Sequence, residues 1–289
     1  MTKRYLICEA PLCVGSPTVG TEGAFAALAD AGLEKVMGDQ AILKKYEGER
    51  SSPETDPDGK LMELGTVMTV NRTVYETLSE AHRGGFLPVT FGGDHSLAMA
   101  SIAAISDFYG CENTAVIYVD GHTDINTEET SPTGRIHGMP LAAALGLCSE
   151  KLRVGKNKPA ILGENLFIIG ARSIDPGEYG IVEKEGVTLF TADDVRRIGW
   201  EKVVSLVLDR TKGRYVHLSF DVDSIDGEDF PATGYVMPQG LDFDTVFGIL
   251  KKIFEEGHPS SFDCVEYDPT RDVDGSSAKK LLEIFSLLR

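Results

Sequence analysis

Thr114-Ala115-Val116-Ile117-Tyr118-Val119-Asp120-Gly121-His122-Thr123-Asp124-Ile125-Asn126 is the stretch that decides how this chain is built. Its first six residues are uncharged and rich in β-branched side chains, the pattern of a strand buried on both faces in a helix-covered parallel sheet. Asp120, His122 and Asp124 then follow at every second position. In extended backbone alternate side chains share a face, so the three project together from the strand's carboxyl end. Ionisable groups crowded in this way repel one another and lose hydration unless a cation neutralises them.

The arrangement recurs on both sides of this stretch. His217-Leu218-Ser219-Phe220-Asp221-Val222-Asp223 is again an apolar strand ending in carboxylates two apart, and Phe86-Leu87-Pro88-Val89-Thr90-Phe91 runs through Gly92-Gly93-Asp94 to His95. Taken singly, a Gly-Gly-Asp-His turn reads as an ordinary turn and Asp-Val-Asp as a solvated strand end or helix cap. Three such ends in one chain point to a shared purpose. His95, Asp120, His122, Asp124, Asp221 and Asp223 form a hard, oxygen-rich donor set, better suited to Mn²⁺ than to thiolate-bound Zn²⁺. Six side chains exceed what one ion needs if it also holds water. Two ions roughly 3.5 Å apart, bridged by carboxylates, would share them and generate hydroxide near neutral pH for hydrolysis at carbon.

Strand-like and helical segments alternate along the rest of the chain without a hairpin signal. Strands are predicted at 5–8, 86–91, 114–119, 165–170, 186–190, 215–220 and 262–265. Helices are predicted at 22–33, 61–82, 96–108, 137–147, 192–210 with a break near Gly199, 242–256 and 277–288. Residues 47–60, dense in Ser, Pro, Asp and Gly, read as an exposed loop. The expectation is one α/β domain over residues 1–289, a parallel sheet of about eight strands flanked by helices on both faces. Ligands of such sheets gather at the carboxyl ends of the strands, where His95, Asp120, Asp221 and Glu266 all fall.

Composition narrows the partners. A net charge of −17 among 289 residues opposes nonspecific binding to nucleic acid or to anionic membranes. Five scattered cysteines, without a Cys-x-x-Cys pair, suit a reduced cytoplasmic chain. No stretch has the length of a signal segment or membrane span, so a cytoplasmic location is expected.

From about Gly84 onward the chain resembles the ureohydrolase family of arginases and agmatinases, and within it the bacterial-type arginases. The resemblance rests on Gly92-Gly93-Asp94-His95-Ser96, on Asp120-Gly121-His122-Thr123-Asp124-Ile125-Asn126, on Ser219-Phe220-Asp221-Val222-Asp223-Ser224-Ile225-Asp226 and on Glu266-Tyr267-Asp268-Pro269. Ile136-His137-Gly138-Met139-Pro140-Leu141 and Gly170-Ala171-Arg172-Ser173-Ile174-Asp175-Pro176-Gly177-Glu178 continue it. It implies a three-layer arginase/deacetylase-like fold and two Mn²⁺ per subunit, His95, Asp120, Asp124 and Asp221 holding one and Asp120, His122, Asp221 and Asp223 the other. It further implies attack of a metal-bridging hydroxide on a guanidinium carbon, with Asp124 passing the proton onward and His137 as proton shuttle. Glu266 would anchor the guanidinium through charge-assisted hydrogen bonds. Asn126 and Thr133 would face an α-carboxylate, Asp175 an α-ammonium, with Glu178 beside it. The implied partner is a small guanidino molecule, and by family analogy the chain is a homo-oligomer, trimer or hexamer.

Four positions depart from the arginase pattern. Asp226-Gly227 replaces Asp-Pro, which loosens that turn. Gly121 replaces the usual Ala, an exchange of expected small effect. Arg135 stands where Asn is usual, bringing a fixed charge that either pairs with a substrate carboxylate or fills part of that pocket. Tyr235 replaces a Thr near the guanidinium, so its ring narrows the cleft or displaces Glu266. The expected reaction is Mn²⁺-dependent conversion of L-arginine to L-ornithine and urea. The alternatives are the same chemistry on N-hydroxyarginine, a guanidino acid or agmatine, and a non-catalytic paralogue that binds metal or arginine.

Overall fold

The seven strands expected from the sequence and one more hydrogen-bond side by side into an all-parallel sheet of eight. The structure is a computed structural model and describes residues 4–289. The strands are β1 (Tyr5–Glu9), β2 (Ala41–Lys44), β3 (Leu87–Phe91), β4 (Thr114–Val119), β5 (Leu166–Ala171), β6 (Thr188–Thr191), β7 (Tyr215–Asp221) and β8 (Ser261–Val265), in the order β2-β1-β3-β8-β7-β4-β5-β6. The strand that periodicity did not locate is β2, a four-residue edge strand none of whose residues is fully buried. A strand lying at the margin of the core carries little hydrophobic signal.

The helices, in chain order, are α1 (Ala24–Ala31), α2 (Leu33–Met37), α3 (Leu64–Arg83), α4 (Ala98–Tyr109), α5 (Pro140–Ala144), α6 (Pro176–Glu185), α7 (Ala192–Ile198), α8 (Trp200–Thr211), α9 (Phe243–Lys252) and α10 (Ser276–Ser286). Residues of β4 divide between two cores by their alternation: Ala115, Ile117 and Val119 join α1, α2 and α7 to α10, whereas Val116 and Tyr118 join α3 to α6. The result is helix, sheet, helix in three layers. The predicted break at Gly199 is present, with that residue at φ 92° between α7 and α8. Helix α6 carries little periodic signal because little of it is apolar inward; Glu178 is its one fully buried residue. The helix expected at 137–147 is shorter, since Pro140 fits only a first turn and Gly146 turns left-handed at φ 76°. Residues 47–60 carry no strand and are mostly exposed, yet they are tethered: Lys60 pairs with Glu129 and Asp56 with Lys151.

Sheet order places the candidate site residues. Strands β3, β8, β7 and β4 are consecutive neighbours at the centre of the sheet. Their carboxyl ends deliver His95 in the turn after β3, Glu266 directly after β8, Asp221 and Asp223 at the end of β7, and Asp120 directly after β4. The turn after β3 is tight: Gly93, at φ 81°, would bring a Cβ to 2.6 Å from the Ala10 carbonyl oxygen. Only glycine fits there.

Candidate metal centre

Two groups of donors meet at this rim. His95, Asp120 and Asp221 form one and Asp120, His122 and Asp223 the other, with the ligand atoms in each within 4.8 Å of one another. Asp120 belongs to both, the arrangement of a binuclear site. His95 Nδ1 lies 2.9 Å from Asp120 Oδ2, 3.0 Å from Asp221 Oδ2 and 3.3 Å from Asp124 Oδ2. His122 Nδ1 lies 3.0 Å from Asp223 Oδ2 and 3.5 Å from Asp120 Oδ1. All six predicted donors thus converge.

They do not converge by strand alternation alone. Strand β4 ends at Val119, His122 is extended only through a single bridge to Ser173, and Asp124 adopts a left-handed conformation at φ 45°. The tight turn, with Tyr118 donating its hydroxyl to Asp124 Oδ2 at 2.8 Å, swings Asp124 back toward His95.

The donor set fits cations by its electrostatics. His95 Nδ1 and Asp120 Oδ2 are buried and have no hydrogen-bond partner, a costly state unless something positive sits between them. Burial drives Asp221 well above the usual carboxylate range, and repulsion from Asp223 and Asp120 adds to it. Burial alone would depress His95 and His122, but the surrounding aspartates outweigh it and raise both well above the ordinary imidazole value. A cation would replace the protons these groups are holding.

Beneath the rim a buried polar chain runs along strands expected to be plainly apolar. His95 Nε2 lies 2.8 Å from Ser219 Oγ, and the Ser219 hydroxyl donates to Asp263 Oδ1 at 2.5 Å. Asp263 Oδ2 in turn lies 3.0 Å from His217 Nε2, whose Nδ1 meets Ser261 Oγ at 2.9 Å. Since Ser219 gives its proton to Asp263, it accepts one from His95 Nε2, which leaves the His95 Nδ1 lone pair facing the metal position. The signal was available: His217 and Ser219 alternate with Leu218 and Phe220, and register pairs them with Ser261 and Asp263.

A cleft of about 190 Å³ opens beside the His122 group. Asp124, Asn126 and Thr133 line it, as do Arg135, His137 and Tyr235. Arg135 turns inward, its Nη1 donating to the carbonyl oxygens of Val14 at 3.3 Å and Ser16 at 3.2 Å. Tyr235 narrows the cleft, stacked on His137 and edge-on to His122 with ring centroids 5.6 Å apart in both cases. Asn126 Nδ2 donates to Asp175 Oδ2 at 2.9 Å. Glu178 also reaches the cleft, but its oxygens accept the N–H groups of Ile125 and Asp175 at 3.0 and 2.8 Å, so it clamps the loop after Asp124. Glu266 is buried and is not among the residues that line this cleft. Its Oε1 accepts the His95 N–H at 2.8 Å and lies 3.8 Å from His137 Nδ1, while Oε2 is buried without a partner. Burial raises the Glu266 carboxyl despite the opposing His137; burial would lower His137, but Glu266 outweighs it and the imidazole is raised.

Known proteins share both sequence and architecture with this chain. The Arginase family model matches residues 28–286, further toward the N-terminus than the motifs reach. Arginase from Bacillus subtilis is 34% identical over 233 residues, 80% of this chain and 78% of its own length. The solved arginase from Bacillus caldovelox superposes with a TM-score of 0.92 at 30% identity, covering 99% of this chain and 98% of that one. An Entamoeba histolytica arginase solved in complex with L-ornithine gives 0.89 at 28% identity, covering 100% and 99%. Matched along most of its length and carrying the paired donor groups, the chain belongs to the arginase family of ureohydrolases.

Proposed function

We propose that the protein hydrolyses a guanidino compound to urea and an amine with manganese, and that its substrate is L-arginine and its other product L-ornithine. The observation that carries this reading is Glu266 Oε2, a buried carboxylate oxygen beside the metal centre that nothing in the protein satisfies. A guanidinium N–H would pair with it. The relative solved with L-ornithine supports the choice of amino acid.

His95, Asp120, Asp124 and Asp221 would hold one ion, and Asp120, His122, Asp221 and Asp223 the other. When bound, the pair supplies Lewis-acid activation of water for attack at the guanidinium carbon. Glu266 orients that carbon. Asp124, fixed by Tyr118, takes a proton at its carboxylate, and His137 holds one at the ring nitrogen 3.8 Å from Glu266 and delivers it to the departing amine. At one end of the cleft Asn126, Thr133 and Arg135 would meet the substrate carboxylate and Asp175, which accepts from Asn126, its ammonium. Glu178 supports both by holding the backbone of Ile125 and Asp175. Agmatine, which has no carboxylate and a second cationic group, is disfavoured beside Arg135.

A guanidino acid other than arginine is the second reading, favoured by the Tyr235 ring, which crowds the cleft in front of Glu266. The test is urea release from protein loaded with Mn²⁺, across arginine, N-hydroxyarginine, agmatine, guanidinobutyrate and guanidinopropionate. Urea from arginine above all supports the proposal; no urea from any, with two metals bound per chain, refutes it. The reading also places the protein in the cytoplasm as a homo-oligomer. Its five cysteines are free thiols, and no helix among the described residues is long and apolar enough to cross a membrane.

A further inference from the structure

The pole of the sheet opposite the metal rim carries an opening of its own. Arg4, Phe86 and Ser260 directly precede the neighbouring strands β1, β3 and β8. Together with His82 and Tyr109 from the last turns of α3 and α4, and with His258, they line a cavity of about 270 Å³. Its backbone walls are fixed: the Leu87 N–H donates to the Arg4 carbonyl at 2.8 Å, the Phe86 N–H to the Ala81 carbonyl at 3.0 Å and the Ser260 N–H to the Val216 carbonyl at 2.8 Å. The chain carries a net charge of −17, yet among the described residues no acid lines this cavity, whereas Arg4, His82 and His258 all do. The Arg4 guanidinium lies over the Phe86 ring, 4.5 Å from its centroid. His82 supplies a second, independent sign. It is 5% exposed, and its Nε2 is buried without a hydrogen-bond partner. The ring is held by Phe108, stacked at 5.2 Å, and by Tyr109, edge-on at 5.7 Å. The last turn of a helix ordinarily favours a cation, but burial keeps this imidazole neutral by lowering its pKa to about 4. A neutral ring can carry its proton on Nε2, and a buried donor without an acceptor is costly.

We propose that this cavity is a second ligand site, which takes a small organic carboxylate with a flat apolar body. The three basic side chains supply what a carboxylate needs. Arg4 offers a permanently charged, forked donor, and His258 and His82 add ring nitrogens. The rings of Phe86 and Tyr109 supply what the apolar body needs, and Tyr109 is kept in place by the Tyr215 ring stacked on it at 3.6 Å. Size limits the ligand further. The volume falls just below the roughly 300–1,000 Å³ of sites for drug-sized molecules, so a single ring with its carboxylate fills it. A ligand there lies at the amino ends of strands whose carboxyl ends carry the metal donors, so it shares no residue with the cleft beside the metal centre.

The experiment is calorimetric titration of sodium benzoate into the intact, manganese-loaded chain, with benzyl alcohol and inorganic phosphate as comparison probes. Wild type should bind one benzoate per chain, about tenfold more tightly than benzyl alcohol, which lacks the charge, and than phosphate, which lacks the apolar body. Arg4→Gln and His258→Asn, both at exposed positions, should each weaken benzoate about tenfold while metal content and the unfolding midpoint stay as in wild type. His82→Phe keeps a ring against Phe108 and Tyr109 but has no nitrogen, and it should weaken benzoate too. Absence of saturable benzoate binding overturns the proposal. So does wild-type affinity in both Arg4→Gln and His258→Asn, which would put the benzoate elsewhere on the protein. Benzyl alcohol bound as tightly as benzoate overturns the recognition of charge, and phosphate bound as tightly overturns the assignment to an organic carboxylate.

Discussion

Replacing Glu266 by Gln isolates the interaction on which the functional reading depends. The side chain is 2% exposed, and glutamine has the same shape, so the amide oxygen keeps the hydrogen bond from the His95 N–H now made by Oε1. What changes is the other end, where an unpartnered anionic acceptor becomes an NH₂ donor pointed at the donors of a guanidinium. Hydrogen bonds to charged groups contribute about 1.5–3 kcal/mol each, and a carboxylate can offer two. The variant should therefore lose roughly 3–5 kcal/mol of transition-state stabilisation, a fall in kcat/KM for arginine of about two to four powers of ten. Urea release measures it, and metal analysis supplies the control, because Glu266 is not among the donors: two manganese ions should still bind. A variant with full metal content and more than a tenth of wild-type kcat/KM would refute the anchoring role.

Arg135→Asn removes the cation held by Val14 and Ser16; KM for arginine should rise about tenfold while kcat/KM for agmatine improves, by loss of attraction and repulsion respectively, and unchanged values for both substrates would remove Arg135 from the site. Tyr235→Thr takes away the ring stacked on His137 and should raise kcat/KM for arginine about fivefold by clearing the route to Glu266, a gain worth about 1 kcal/mol; no gain would show that the ring is not a barrier. His82 bears on stability: burial, aided by His217, depresses its pKa from 6.5 to about 4, so the stability tied to its neutral ring is full above pH 6.5 and is lost as pH falls toward 4. Between pH 7 and pH 4 this amounts to about 3 kcal/mol. His82→Phe should shrink the difference in unfolding free energy between those two pH values by that amount, and an unaltered difference in urea denaturation would contradict it.

The candidate donors were legible because two regularities reinforce each other: alternation marks a buried strand by its uncharged run, and a parallel sheet collects its ligands at the carboxyl ends. Topology then did what no local pattern could, since β3, β8, β7 and β4 become neighbours only through long crossovers. What stayed hidden was of a different kind. Strand β2 and helix α6 lack a fully apolar side because they lie at the margin of the core.

Two acids of the candidate site show most clearly why a strand rule finds its residues yet misdescribes their placement. Asp124 and Glu266 both have left-handed backbones, at φ 45° and 64°, and each such residue costs about 1–2 kcal/mol. A chain continuing as pleated strand would avoid that cost, but Asp124 would then point along the sheet's edge instead of toward His95, and Glu266 would not return its Oε1 to the His95 N–H. The cost is offset locally by bonds the turns make possible: Tyr118 to Asp124 Oδ2, Glu178 to the Ile125 N–H, and the Glu266 N–H to the Gly93 carbonyl. Alternation therefore supplies the acids at the right depth in the fold, and the strained turns supply their direction. Direction is the part that a residue pattern, which records spacing but not φ, does not encode.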